Sequence, residues 1–171
     1  VLPPVVTGYL LLVVFGRQGV VGSLLYDLLG VTLAFRWTGA ALAAGIMGFP
    51  LMVRAIRLGF EAVDTGLEDA ARTLGATNAG VFMRVTLPLI APAVIAGAVL
   101  GFAKALGEFG ATITFVAAIP GQTETIPSAI YAALQVPGQE GAVVWLVGVS
   151  IVLAMGAVIA SEWLARRMVT R

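Results

Sequence analysis

The sequence predicts an all-α protein that crosses a membrane several times, and three observations lead to this fold class. Of the 171 residues, 60% are hydrophobic and only 11% are charged, whereas a soluble domain carries about 25% charged residues. The apolar residues are gathered into long runs, and about 20 consecutive apolar residues suffice for one membrane-spanning helix. The 21 glycines agree, because glycine is common in membrane helices and at their close contacts.

The apolar runs predict four spans in a single transmembrane domain covering residues 1–171. These spans lie at about residues 1–15, 37–58, 87–109 and 142–163. As a helix, the first run would extend only about 22 Å, against a hydrocarbon core of about 30 Å. We therefore expect the beginning of this clipped span to lie outside the sequence. The residues between the first two runs are mixed in polarity and predict a loop.

Apolar character continues past the third span, from residue 87 to residue 118. One helix of this length would extend about 48 Å, too far to cross a bilayer without extreme tilt. Gly107 and Gly110 offer a break. Residues 111–135 then predict an outer-side re-entrant turn with a short helix. Irregular backbone at membrane depth is tolerated where it is buried in protein or lines a water-filled cavity, so this segment is a candidate for lining a path.

The distribution of basic residues predicts the orientation of the chain. Residues 59–86 are the main polar stretch, and cytoplasmic segments of membrane proteins are enriched in Lys and Arg. This stretch, its flanks and the C-terminal tail carry seven arginines: Arg54, Arg57, Arg72, Arg84, Arg166, Arg167 and Arg171. The opposite side carries two, Arg17 and Arg36. The polar stretch and the C-terminus are therefore predicted to be cytoplasmic.

Within the polar stretch, residues 65–75 predict a short, capped helix. Thr65 and Glu68 have the spacing of a capping box, in which a Thr N-cap is followed three residues later by Glu. Gly75 suits the left-handed conformation that commonly ends a helix. One face carries a narrow stripe of small and medium apolar residues, namely Leu67, Ala70, Ala71 and Leu74. Because isolated helices below about 12 residues are marginal in water, this one must pack, either on its own bundle or on a cytoplasmic partner.

The same stretch resembles the cytoplasmic signature of ABC importer permeases, which reads E-A-A, three residues, Gly, nine residues, then I-x-L-P. Here Asp-Ala-Ala at residues 69–71 is followed by three residues and Gly75, and after nine more by Val-Thr-Leu-Pro at residues 85–88. The spacing matches throughout. Asp replaces the signature Glu and Val replaces its Ile. Glu68 precedes Asp69, so the sequence leaves open which carboxylate takes the role of the family's glutamate.

The resemblance implies that this helix couples the permease to an ATPase subunit. In the family, the helix sits in a groove of that subunit and passes its ATP-driven closure to the membrane helices. The residues implied in ATPase coupling are Glu68, Asp69, Ala70, Ala71, Leu74, Gly75 and Ala76. ATP and magnesium would be bound by the partner and no cofactor or metal by this chain, which would not be an enzyme. Its single lysine, Lys104, is followed by alanine, so the sequence lacks the G-x-x-x-x-G-K-[ST] phosphate loop.

A second polar constellation follows the third span. Lys104 and Glu108 are one helical turn apart in an apolar segment, and an unpaired charge there costs about 2.5–3.5 kcal/mol on insertion scales. We therefore expect an ion pair, which either holds helices in register or lies beside a translocation path. The candidate path hydroxyls, each of which could alternatively bond to backbone, are those of Thr112, Thr114, Thr123, Thr125 and Ser128.

This region also resembles a narrower group of importer permeases. The stretches ALGEFGATITF and IPGQTETIPSAIY resemble the oxyanion branch, and FPLMVRAIRLGFEAVDTGLEDAARTLGA is most similar to molybdate permease subunits. The implied fold is the type I, MetI-like helix bundle, whose five or six spans place one or two N-terminal spans outside this sequence. The implied assembly is a permease homodimer with two ATP-binding subunits and a periplasmic or extracellular oxyanion-binding protein, in the plasma (inner) membrane of a bacterium or archaeon.

The sequence leaves one alternative function open and disfavours two others. A sulfate or thiosulfate permease of the same type stays open. A stand-alone ion-coupled transporter would carry carboxylates in several spans, for which Glu108 is the main candidate, and would not need the capped helix. An intramembrane enzyme is disfavoured because the sequence has no His and no Cys, which removes the commonest general base. The net charge of +1 does not indicate a nucleic-acid partner.

Overall fold

The computed structural model describes residues 2–169, except the side chains of residue 161 and of residues 164–169. Regular structure in this part of the chain is helical, as the predicted fold class requires. The elements are α1 Pro4–Phe15, α2 Val20–Leu29, α3 Trp37–Glu61, α4 Thr65–Thr73, α5 Asn78–Val81, a π-helical turn Phe82–Thr86, α6 Leu87–Leu106, α7 Gly110–Val116, α8 Ile126–Leu134 and α9 Glu140–Val169. The side chains of Arg166, Arg167 and Arg171, on which part of the predicted orientation rests, lie outside the described residues.

Among the described residues, three helical stretches are long and apolar enough to cross a membrane. They are α3, the continuous stretch Asn78–Leu106 and the Glu140–Ala160 part of α9. The pair α1 and α2 is bent by 47° and passes the same test together, so it is either a broken span or a re-entrant loop. These helices lie over the four apolar runs of the sequence. How they sit in a bilayer stays a prediction.

Helix α2 corrects one expectation, because it lies where the mixed polarity predicted a loop. Gly30 closes this helix at a φ of 65°, and its N–H points to the carbonyls of Leu25 and Tyr26. The helix begins directly after Gly19. The glycines at both ends of α2 and Asp27 within it are typical of a loop, so the sequence did not predict these ten helical residues.

The chain divides into two compact units, and the first comprises the residues up to Gly48 together with Phe102–Ala154. Here α1 packs against α7. The buried core of this unit consists of Leu11, Ala43, Met47, Ala111, Phe115 and Val116. Gly8 permits the close approach of the two helices, because a Cβ built on it would lie 2.6 Å from the carbonyl oxygen of Ala111.

The long apolar run after residue 87 is not one helix. Helix α6 ends at Leu106 and α7 begins at Gly110, at the two glycines that the sequence marked as a break. After α7 the chain turns through Ala117, with a φ of 61°, and Gly121, with a φ of 73°. A capping box then starts α8. Two short helices therefore occupy the segment predicted to be re-entrant, and its placement on the outer side stays a prediction.

The second unit comprises Phe49–Gly101 together with the residues from Met155 onward. Its described contacts include those of the later part of α3 with α6, where a Cβ built on Gly97 would lie 3.0 Å from the Met52 carbonyl oxygen. The rings of Phe60 and Phe82 stack with centroids 6.5 Å apart. The Phe60–Phe82 stack joins the two ends of the polar stretch, and α4 lies between these two residues along the chain.

Candidate functional site

Helix α4 begins and ends on local hydrogen bonds. The Asp64 carboxylate accepts the backbone N–H of Gly66 at 2.8 Å, so Asp64 is the N-cap and Thr65 is the first helical residue. The predicted capping box of Thr65 and Glu68 is therefore wrong. A carboxylate at the N-cap gains from both the free N–H groups and the helix dipole, and Glu68 is engaged elsewhere.

The C-terminus of α4 has the geometry that the sequence predicted. Gly75 has a φ of 86°, and its N–H donates to the Arg72 carbonyl at 2.9 Å. The N–H of Ala76 donates to the Ala71 carbonyl at 3.1 Å. This pair of bonds is a Schellman motif, which satisfies the last helical carbonyls and turns the chain sharply. The left-handed conformation of Gly75 is confirmed.

The sequence left open whether the apolar stripe of α4 packs on its own bundle or on a partner, and the described part of the chain covers little of it. Ala71 is half-buried, but the described part of the chain leaves Leu67, Ala70 and Leu74 exposed. Leu74 is 88% exposed. The inward face carries Ala71 and the carboxylate of Glu68. An apolar ridge is thus held outward on a helix whose polar side faces its own unit.

The two adjacent carboxylates have different environments. The Glu68 side chain is 22% exposed, and that of Asp69 is 71% exposed. Oε1 of Glu68 accepts a hydrogen bond from Oγ1 of Thr86 at 2.5 Å. Arg72 reaches both acids, with Nη2 at 3.3 Å from Glu68 Oε2 and Nη1 at 2.7 Å from Asp69 Oδ1. The structure therefore separates one inward-facing acid from one outward-facing acid.

A groove lies beside the end of α4. Its volume is about 380 Å³, and it separates the end of α4 from α5 and the π-helical turn. Its lining residues are Ala71, Leu74, Gly75, Ala76, Gly80, Val81, Arg84 and Val85. The side chains are mostly small, so this surface admits close approach, and Arg84 is its one charged member. The groove adjoins the exposed apolar ridge of Leu67, Ala70 and Leu74, and Leu74 belongs to both. Together they form a surface on which another protein could dock.

The predicted ion pair between Lys104 and Glu108 is confirmed. Nζ of Lys104 lies 2.7 Å from Oε2 of Glu108. Glu108 is only 2% exposed, and its Oε1 accepts the backbone N–H of Ala111 at 2.9 Å. The spacing of Lys104 and Glu108 did not indicate this second bond, by which Glu108 caps the first turn of α7. A carboxylate three residues before an N–H in a helix's first turn is the sequence signal that could have revealed it.

The candidate path hydroxyls are engaged by backbone. Thr112 donates to the Phe109 carbonyl at 2.9 Å, and Thr114 donates to the Gly110 carbonyl at 2.8 Å. Thr123 bonds to the turn after α7. Thr125 and Ser128 form the capping box of α8. The structure thus gives each hydroxyl a local structural partner, and its role in a path stays a prediction.

Comparison with known proteins identifies the class. The chain matches, over residues 1–170, the family model described as "Binding-protein-dependent transport system inner membrane component". This match covers nearly the whole chain, so the protein belongs to that family. Together with the membrane-length helices, the match makes the chain a multi-pass inner-membrane component, and the resemblance to ABC importer permeases is confirmed.

The individual relatives narrow this class. The chain is 61% identical to the molybdenum transport system permease protein ModB of Escherichia coli (strain K12), over 97% of the chain and 72% of the relative. It is 54% identical to ModB of Haemophilus influenzae, over 98% of the chain and 73% of the relative. The sulfate transport system permease protein CysW of Synechococcus elongatus is 40% identical over 72% of the chain and 43% of the relative. The chain is therefore most like molybdate permeases.

Proposed function

We propose that this chain is the transmembrane permease subunit of an ATP-driven importer that moves molybdate, or tungstate, into the cell. Helix α4 couples it to a separate ATPase subunit. The observation that carries the coupling is the outward ridge of Leu67, Ala70 and Leu74 on a helix tied down by its other face. The substrate rests on the 61% identity to a permease named for molybdenum transport.

The exposed ridge gives the ATPase a physical reason to bind. Burial of one leucine side chain contributes about 1.5–3 kcal/mol, and Leu74 is almost fully available. Ala70 and Ala71 permit close approach, and Gly75 with Ala76 ends the helix in a compact turn. Asp69 supplies an exposed carboxylate for a basic group of the partner. These residues form a small docking surface with an apolar centre and a charged rim.

The proposed assembly places nucleotide chemistry outside this chain. Two copies of the permease form the pathway, and each binds one ATPase subunit that holds ATP and magnesium. A periplasmic or extracellular binding protein delivers the oxyanion to the outer face. Helix α4 and the C-terminus face the cytoplasm, which is supported by the excess of arginines on this side of the chain over the opposite side. This subunit needs no cofactor of its own.

For the path, we propose Lys104 as the main contact with the anion. Its ammonium has three N–H donors, one of which is directed to Glu108, and its side chain is 36% exposed. A hydroxyl has only one proton, so Thr112, Thr114 and Ser128 must give up their backbone bonds before they donate to a passing anion. Glu108 limits the residence of the anion by keeping the local charge near neutral.

The test is uptake of labelled molybdate into proteoliposomes that contain the full-length permease, its ATPase and its binding protein. We expect uptake only with ATP and the ATPase present, and uptake without the ATPase would contradict the proposal. Competition distinguishes the substrates. Tungstate should compete and sulfate should not. Equal competition by sulfate would favour the second candidate, a sulfate or thiosulfate permease, which the identity of 40% to CysW supports.

A further inference from the structure

We propose that Glu68 is a positioning residue inside the permease, which ties α4 to the base of α6 through Thr86, and that Asp69 is the carboxylate presented to the ATPase. This inference rests on the proposed coupling function of α4. It assigns separate roles to two adjacent acids that the sequence could not distinguish.

The contact between Glu68 and Thr86 joins segments far apart in sequence. The two residues are 18 positions apart, and Thr86 is 5% exposed. Thr86 is the last residue of the π-helical turn, and Leu87 begins α6 directly after it. A π-helical turn inside a helix is rare and frequently marks a functional position. The side-chain bond therefore reaches the residue that directly precedes α6, inside the membrane-length stretch Asn78–Leu106.

The same bond connects α4 to the start of α6 directly, without the intervening segment of the chain. Along the chain, the two helices are connected through Gly75, the loop to Thr77, the short α5 and the π-helical turn. Gly75 has open space where a side chain would be, so this route has little packing at its turn. A direct hydrogen bond from α4 to the end of the π-helical turn makes the two helices move together when α4 is pushed.

Arg72 fixes the roles of the two acids. It contacts Glu68 Oε2 and Asp69 Oδ1 on the surface of α4, and it leaves Glu68 Oε1 directed at Thr86. A hydroxyl bonded to a carboxylate is among the stronger hydrogen bonds in proteins. Loss of the hydroxyl leaves a half-buried carboxylate oxygen without its partner, whereas loss of the Asp69 charge leaves the α4–α6 link intact.

The first test measures hydrogen exchange of the backbone amides of residues 65–73 in the full-length permease alone, in lipid nanodiscs. Thr86→Val should make exchange about tenfold faster, which corresponds to the loss of one hydrogen bond to a charged group. Thr86→Ser keeps the hydroxyl and should exchange like the wild type. Thr73→Val is the matched control, because the exposed Thr73 hydroxyl bonds to the Ala70 carbonyl and, among the described residues, to nothing outside α4. Unchanged exchange in Thr86→Val would overturn the link.

The second test measures molybdate imported per ATP hydrolysed in the assembled transporter. Glu68→Met and Thr86→Val should each lower this ratio about tenfold, and the double variant should be no worse than either single one. Affinity for the ATPase should stay unchanged. If Glu68→Met weakens ATPase binding and Thr86→Val does not, Glu68 contacts the partner and the inference is overturned. If the proposed function is wrong, the wild-type transporter imports no molybdate, but Thr86→Val still speeds hydrogen exchange in α4. The two failures are therefore distinguishable.

Discussion

Lys104 and Glu108 form an ion pair with Nζ and Oε2 2.7 Å apart, and the second carboxylate oxygen of Glu108 accepts the N–H of Ala111. One acid thus bonds to a side chain on α6 and to the backbone of α7. The broken helix between residues 106 and 110 is held across its break by this acid. The pair has a structural role whether or not an anion passes it.

Removal of one member of this pair should destabilise the permease. Glu108→Ala deletes both bonds, and because each hydrogen bond to a charged group contributes about 1.5–3 kcal/mol, we expect a loss of about 3–6 kcal/mol in the free energy of unfolding. The measurement is thermal unfolding in detergent micelles. Glu108→Gln can still accept the Ala111 N–H, so it should lose less. Equal stability of Glu108→Ala and the wild type would contradict the assigned bonds.

The contact of α1 with α7 predicts a position that tolerates only glycine. Gly8→Ala should destabilise the permease by about 1–3 kcal/mol, the typical penalty of overpacking, because its Cβ would meet the backbone and the side chain of α7. Gly148→Ala is the matched control, since no described residue places an atom within 4 Å of a Cβ there. The melting temperature of each variant measures the effect. A normal melting temperature for Gly8→Ala would rule out the close approach.

At Gly75 the strain is in the backbone alone. Its φ is 86°, and the space that a Cβ would enter is open, so Gly75→Val should cost about 1–3 kcal/mol at the end of α4. We expect fewer molybdate ions imported per ATP hydrolysed. Gly75→Asn should be milder, because Asn adopts the left-handed region more readily. If the Val and Asn variants transport alike, the end of α4 does not control coupling.

The docking surface predicts an effect on ATPase affinity without an effect on permease stability. Leu74→Ala should weaken binding of the ATPase about tenfold, because the buried leucine contributes about 1.5–3 kcal/mol. The melting temperature of the Leu74→Ala permease should not change, since the Leu74 side chain is exposed in this chain. Leu134→Ala on α8 is the control, an exposed leucine outside the docking surface. Equal ATPase affinity of the two variants would argue against docking at α4.

Local signals in the sequence predicted much of this structure. The spacing of Lys104 and Glu108, the left-handed Gly75 and the break between Leu106 and Gly110 follow from helix geometry over a few residues. The apolar runs predicted the all-α class because each is long enough for one membrane-spanning helix. The family-level function came from the spacing of the signature around α4.

The remaining features depend on contacts between distant residues. Glu68 bonds to Thr86, 18 positions away at the end of a π-helical turn, and no residue pattern indicated that turn. The inward position of Glu68 and the outward position of Leu74 also depend on the packing of the unit around α4, so the sequence alone left the packing surface of the apolar stripe open. At the start of the helix, the sequence predicted Thr65 as the N-cap, but Asp64 has the extended N-cap conformation and its carboxylate accepts the Gly66 N–H.

Coupling of this permease to ATP hydrolysis is best tested by comparing molybdate uptake with two forms of the partner. Proteoliposomes would contain the full-length permease, the binding protein and either an active ATPase or a variant that binds ATP without hydrolysing it. If α4 couples transport to hydrolysis, molybdate should accumulate above its external concentration with the active ATPase only. Equal accumulation with both forms would contradict the coupling.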